Sequence, residues 1–189
     1  MTSQNTNISE ELSSGTMRIV LHWGVNSGVV ILDSHLTGPD NNTGRFHIYY
    51  NASANFINGG SYRDPDNFYY HTNAYQCNSC STTQASDNVS LDRDDMDGAP
   101  GTETITVTKV RSGTYRYSVH DYTNRNNSSS TKLAESGTTV NVFYNNTQTT
   151  YNVPNSAGNL WEVFTFDGST GALTASDNMT AHSNYDTIQ

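Results

Sequence analysis

Positive charge is scarce in this chain. Lysine occurs only at Lys109 and Lys132, and nine Lys and Arg together face eighteen Asp and Glu, for a net charge of −9. That balance argues against nucleic acid or an anionic membrane surface as a partner. Long apolar runs are missing as well. None approaches the roughly 18 residues that a membrane-spanning helix needs, so no membrane insertion is expected. The first sixteen residues have neither the basic start nor the apolar centre of a signal peptide, so any export signal would lie outside this numbering. Cysteine is limited to Cys77 and Cys80. A single CxxC is half of a zinc site, and its Ser/Asn-rich setting does not suit a redox motif opening a helix. A local structural disulfide between Cys77 and Cys80 is the expectation, with free thiols and metal or redox work as the alternatives. No Ser sits in G-x-S-x-G, which removes one common route to nucleophilic catalysis.

What is abundant is Ser, Thr, Asn, Gly and Tyr, with hydrophobic residues at 33% and twelve tyrosines supplying apolar area. This composition fits an all-β extracellular domain with polar turns better than a helical enzyme. Strand signals recur along the chain. Arg18 to Gly24, Val29 to Thr37 and Arg45 to Tyr50 come first, then Glu103 to Lys109, Gly113 to Tyr122, Thr138 to Tyr144, Gln148 to Val153 and Leu160 to Asp167. About eight strands divided by turn signals predict a single antiparallel β-sandwich, jelly-roll or Ig-like. Asn145-Asn146-Thr147 reads as a hairpin turn. The sandwich is expected over residues 17–168, with a Tyr/Asn/Ser-rich insertion at 51–90. Residues 1–16 read as a polar tail, with a strand-exchange arm as the sharper alternative. Residues 169–189 read as a polar C-terminal tail.

Charge is concentrated in one place. Asp92, Asp94, Asp95, Asp97 and Glu103 put five carboxylates within twelve residues, beside the turn formers Gly98, Pro100 and Gly101. Crowded carboxylates repel unless a cation, basic groups or backbone N–H donors offset them. Ca²⁺, which takes six to eight oxygen ligands, is the expected cation, with Asp33 as a further ligand. The EF-hand pattern fails, because Met96 fills its fifth place and Asp97 its glycine place. The competing reading is a solvated turn whose carboxylates cap backbone N–H groups. By strand alternation Asp33, His35, His47 and His120 fall opposite the apolar residues of their strands. They form either a His/Asp cluster for a transition metal or a plain polar sheet face.

Four stretches together resemble the YfaP-like family of bacterial surface and secreted β-domains. The first runs Leu21-His22-Trp23-Gly24 with Leu32-Asp33-Ser34-His35-Leu36-Thr37-Gly38-Pro39, and the second Phe46-His47-Ile48-Tyr49-Tyr50. The third is Leu91 to Ile105. The fourth joins Gly113-Thr114-Tyr115-Arg116-Tyr117-Ser118-Val119-His120-Asp121-Tyr122 to Trp161-Glu162-Val163-Phe164. The resemblance spans residues 17 to 168 and implies an extracellular β-sandwich. The chain departs from the family at Ile31, where that pattern usually carries an Asp.

Eight N-x-[ST] sequons stand at Asn7, Asn41, Asn51, Asn88, Asn126, Asn127, Asn145 and Asn178, close to what so Asn/Ser/Thr-rich a composition gives by itself. The function expected from all this is a non-enzymatic structural or adhesive protein outside the cell. It would self-associate into a homo-oligomer or polymer such as a filament or surface layer, with glycans covalent or bound. The alternatives are a Ca²⁺-dependent carbohydrate-binding module and, last, a hydrolase using two carboxylates.

Overall fold

In the computed structural model, residues 12–25, 28, 29, 31–40, 45–50, 70–72, 88–96 and 98–188 are described. The elements run β1 (Met17–Trp23), β2 (Leu32–Pro39), β3 (Arg45–Ile48), β4 (Tyr70–Thr72), β5 (Val89–Arg93), β6 (Gly101–Val107) and β7 (Thr114–Asp121). A short helix α1 (Lys132–Glu135) follows, then β8 (Thr139–Tyr144), β9 (Thr147–Asn152), β10 (Leu160–Asp167), β11 (Ala172–Thr180) and a 3₁₀ turn at Tyr185–Thr187. They form two antiparallel sheets, ordered β5-β6-β1-β8-β9 and β11-β10-β7-β2-β3-β4. The protein is thus an all-β sandwich, as expected. Among the described residues no helix is long and apolar enough to cross a membrane.

Period-2 alternation builds the core. On β1, Met17, Ile19, Leu21 and Trp23 are all buried, and β6 answers across the ladder with Ile105 opposite Ile19 and Val107 opposite Met17. The facing sheet contributes Leu32 and Leu36 from β2, Tyr115, Tyr117 and Val119 from β7, and Trp161, Phe164 and Phe166 from β10. Aromatic rings meet at well-packed angles: Tyr117 stacks on Phe164 at 5.4 Å between centroids, and Phe164 on Tyr151 at 5.3 Å. The β8–β9 hairpin turns on Asn145 and Asn146, both at positive φ (48° and 60°), the geometry that a two-residue hairpin loop requires.

Gly101 opens β6 directly against the indole of Trp23, and a Cβ there would overlap the ring. Gly101→Ala is therefore expected to cost about 1–3 kcal/mol of stability through overpacking, read as a lowered unfolding temperature.

The polar segment after residue 168 is not a free tail. Residues 172–180 form β11, which pairs with β10 from Leu160↔Thr180 to Asp167↔Ala172. The chain then returns over the sheet. His182 N–H donates to Asn159 Oδ1 at 2.7 Å, and Tyr185 approaches Tyr49 and Tyr122 at 6.3 and 6.0 Å between ring centroids. The short backbone strand β4 lies within the expected insertion and pairs with β3, placing His71 opposite His47 in register. Cys77 and Cys80 fall outside the described residues, as do Asn7, Asn41, Asn51 and Asp97.

Candidate metal centre

Two strands of the six-stranded sheet supply the centre's first half. Asp33 and His35 lie two residues apart on β2 and so share a face. The β2–β7 register puts His120 directly across from Asp33. One ligand atom each from Asp33, His35 and His120 lie within 4.8 Å of one another. Of the polar-face alternative, solvated or hydrogen-bonded, the solvated form does not hold, since Asp33 and His120 are 0% exposed and His35 1%. Coverage comes from the residues after β11 and from Tyr49, whose ring stacks on His35 at 4.9 Å and on His47 at 4.2 Å.

The second half comes across the sandwich. On β6, Glu103 has the same parity as Ile105 and Val107, so its side chain points inward and is buried. The β2–β3 ladder ends at Leu36↔Ile48. Two residues further along β2, the Ser34 N–H donates to Glu103 Oε2 at 2.7 Å rather than to a strand. Asp94 joins from the segment after β5, and Asp33, Asp94 and Glu103 offer oxygens within 4.8 Å of one another. Asp33 is thus common to both triads.

Several of these atoms are buried with no hydrogen-bond partner: both Asp33 carboxylate oxygens, Glu103 Oε1, His35 Nε2 and His120 Nδ1. Leaving such atoms unpaired in a protein interior costs about 1–3 kcal/mol each, and more for charged groups. Burial, reinforced by the Asp94 charge, holds the Asp33 carboxyl well above the usual carboxylate range. Glu103 is raised in the same way by burial and by Asp33 and Asp94, against the Ser34 hydrogen bonds. The imidazoles shift oppositely. Burial and the neighbouring histidines push His35 well down, and burial pushes His120 down to about 4.

The histidine tautomers follow from their partners. His120 Nε2 lies 3.1 Å from the carbonyl oxygen of His182, which can only accept, so the proton sits on Nε2. In the neutral ring Nδ1 then carries a lone pair, and that atom is buried without a hydrogen-bond partner. His35 Nδ1 lies 3.0 Å from His47 Nε2, while its Nε2 is buried without a hydrogen-bond partner.

The rest of the acidic turn diverges. The β5–β6 register shifts between Leu91 and Arg93, a bulge that re-aims the side chains around Asp92. Asp92 accepts from Ser90 Oγ and Thr106 Oγ1. Asp95 accepts from the Arg93 guanidinium at 3.0 Å and from the Thr102 N–H at 3.1 Å. Of the six acids expected to ligate together, the structure brings Asp33, Asp94 and Glu103 into one group and gives Asp92 and Asp95 other partners. Asp92→Asn is accordingly expected to leave any calcium response of the melting curve unchanged.

Compared with protein-family models, curated proteins and solved structures, the chain matches none. Of the sequon asparagines, Asn126, Asn127, Asn145 and Asn178 are exposed and Asn88 is half-buried. The Asn178 amide donates to Glu162 at 2.9 Å across the β10–β11 pair. His22 lies on the other sheet with its Nδ1 3.2 Å from Thr102 Oγ1, apart from the centre. The contact of His120 with the His182 carbonyl has no signal in the sequence, since nothing in a polar C-terminal stretch marks one backbone oxygen.

Proposed function

We propose that this chain is a non-enzymatic structural module of the cell exterior whose two sheets are clamped by a divalent cation on Asp33, Asp94 and Glu103. The observation that carries the reading is the convergence of buried, unpartnered carboxylate oxygens from Asp33 on one sheet and Glu103 on the other. Three carboxylates alone in such a space repel one another, and a cation turns that repulsion into attraction. An all-oxygen triad suits a hard ion, and Ca²⁺ is the ion we assign to it. The burial of Asp33 and Glu103 supports a structural rather than a catalytic ion, because a catalytic site keeps an open position for substrate.

Self-association is part of the proposal. Strand β11 spans nine residues and stands at a sheet edge, with β10 as its neighbour. Edge strands carry a row of backbone donors and acceptors ready for another chain. The exterior location is supported by the Ser/Thr/Asn-rich composition. Light scattering with negative-stain microscopy on natively purified protein tests the reading. Regular assemblies that dissociate toward the 20.8 kDa chain in chelator are the expected result. A monomer whose size and melting both ignore chelator would refute it.

A further inference from the structure

Resting on the cation reading above, we propose that Asp33, His35 and His120 form a second, adjacent site for a first-row transition ion, so that Asp33 bridges two cations of different chemistry.

The five donors fall into two overlapping triads, one with two imidazole nitrogens and a carboxylate, the other with oxygens alone. Donor atoms bound to one ion stand about 3–5 Å apart, given bonds of roughly 2.0–2.6 Å, so each triad has the span that a single ion requires. Imidazole suits zinc, iron, nickel and copper, whereas calcium takes oxygen. The nitrogen triad therefore asks for a different ion from its neighbour.

The surroundings of both histidines fit ligation. A metal-bound imidazole normally donates its other N–H to a carbonyl, carboxylate or similar acceptor, which fixes ring orientation. His120 does so to the His182 carbonyl, and His35 can do so to His47 Nε2. The remaining ring nitrogens, His35 Nε2 and His120 Nδ1, are buried without a hydrogen-bond partner and are the atoms free to ligate. A merely structural histidine pair would be expected to use those atoms. The His182 contact also ties the C-terminal segment to the site, since its backbone orients one ligand.

The test is a Co²⁺ titration of the full chain after chelator treatment, in calcium-containing buffer, followed by visible absorption and by melting. Expected are ligand-field bands saturating at about one equivalent, displaced by Zn²⁺, with a rise in unfolding temperature beyond that given by calcium. His120→Gln and His35→Gln should each weaken Co²⁺ binding by tenfold or more while keeping the calcium response, which also shows that the variants fold. The titration of the unsubstituted chain decides the matter even where a variant fails to fold. A calcium response without cobalt bands overturns this inference and leaves the oxygen site standing. Indifference to every ion overturns both.

Discussion

Calcium added to chelator-treated protein is expected to raise the unfolding temperature by about 8–16 °C at a free concentration of about 1,000 times its dissociation constant. A ligand bound only by the folded chain stabilises it by about 4.1 kcal/mol under that condition. For a chain of this size each kcal/mol moves the midpoint by roughly 2–4 °C. The unfolded chain has no equivalent site, because Asp33 and Glu103 are 70 positions apart and meet only when the sheets close.

The increment should depend on pH with a definite sign. In the metal-free fold, burial and mutual repulsion raise Asp33 and Glu103 above their unfolded values. Their contribution is present below the ordinary carboxylate range and is lost as pH rises through the raised folded values. Calcium needs both groups ionised, so its binding displaces protons, and the calcium increment grows with rising pH. His120, pushed down to about 4, behaves oppositely: its contribution is present above the ordinary imidazole value and lost as pH falls through about 4. At pH 5 and above the folded His120 is mostly neutral. A cation at Asp33 only favours that neutral form, so the loss adds little to the calcium difference over this range. Paired melts at pH 5 and pH 8 should show the larger calcium shift at pH 8, and a shift that shrinks toward pH 8 would be inconsistent with carboxylate ligation.

The second large effect concerns Asp33. Asp33→Asn should abolish the whole calcium increment, about 4.1 kcal/mol under the same condition, because the shared ligand is lost. Without metal the same variant should melt at or above the unsubstituted protein. Its two oxygens have no partner to lose, and neutralising it removes repulsion from Asp94 and Glu103. This reversal of sign between the two conditions is what separates a metal ligand from an ordinary buried polar group. Truncation of an ordinary satisfied carboxylate would destabilise the fold in both.

Much of this was legible in the sequence. The alternation of β1 and the Asn145-Asn146 turn announce themselves, and both follow from local rules that tertiary context leaves intact. Glu103 carries a quieter signal, an acid in phase with Ile105 and Val107 on what must be the inward face. Asp33, His35 and His120 share a face by the same alternation, but alternation cannot say what covers it. Their burial depends on residues after β11, a strand with so few apolar positions that no period marks it. An edge strand with exposed faces does not need that period, because its ladder to β10 supplies the order. The acidic turn misled for a different reason. Sequence spacing groups Asp92, Asp94 and Asp95, whereas the bulge after Leu91 sends their side chains to separate partners, and only long-range pairing with β6 fixes that bulge.

Equilibrium dialysis of chelator-treated protein against calcium, run beside Asp33→Asn and Asp92→Asn, bears most directly on the centre. Saturable binding near one equivalent, retained by Asp92→Asn and lost in Asp33→Asn, is the predicted result. No binding by the folded unsubstituted chain, or binding that survives Asp33→Asn, would contradict a cation clamp at Asp33, Asp94 and Glu103.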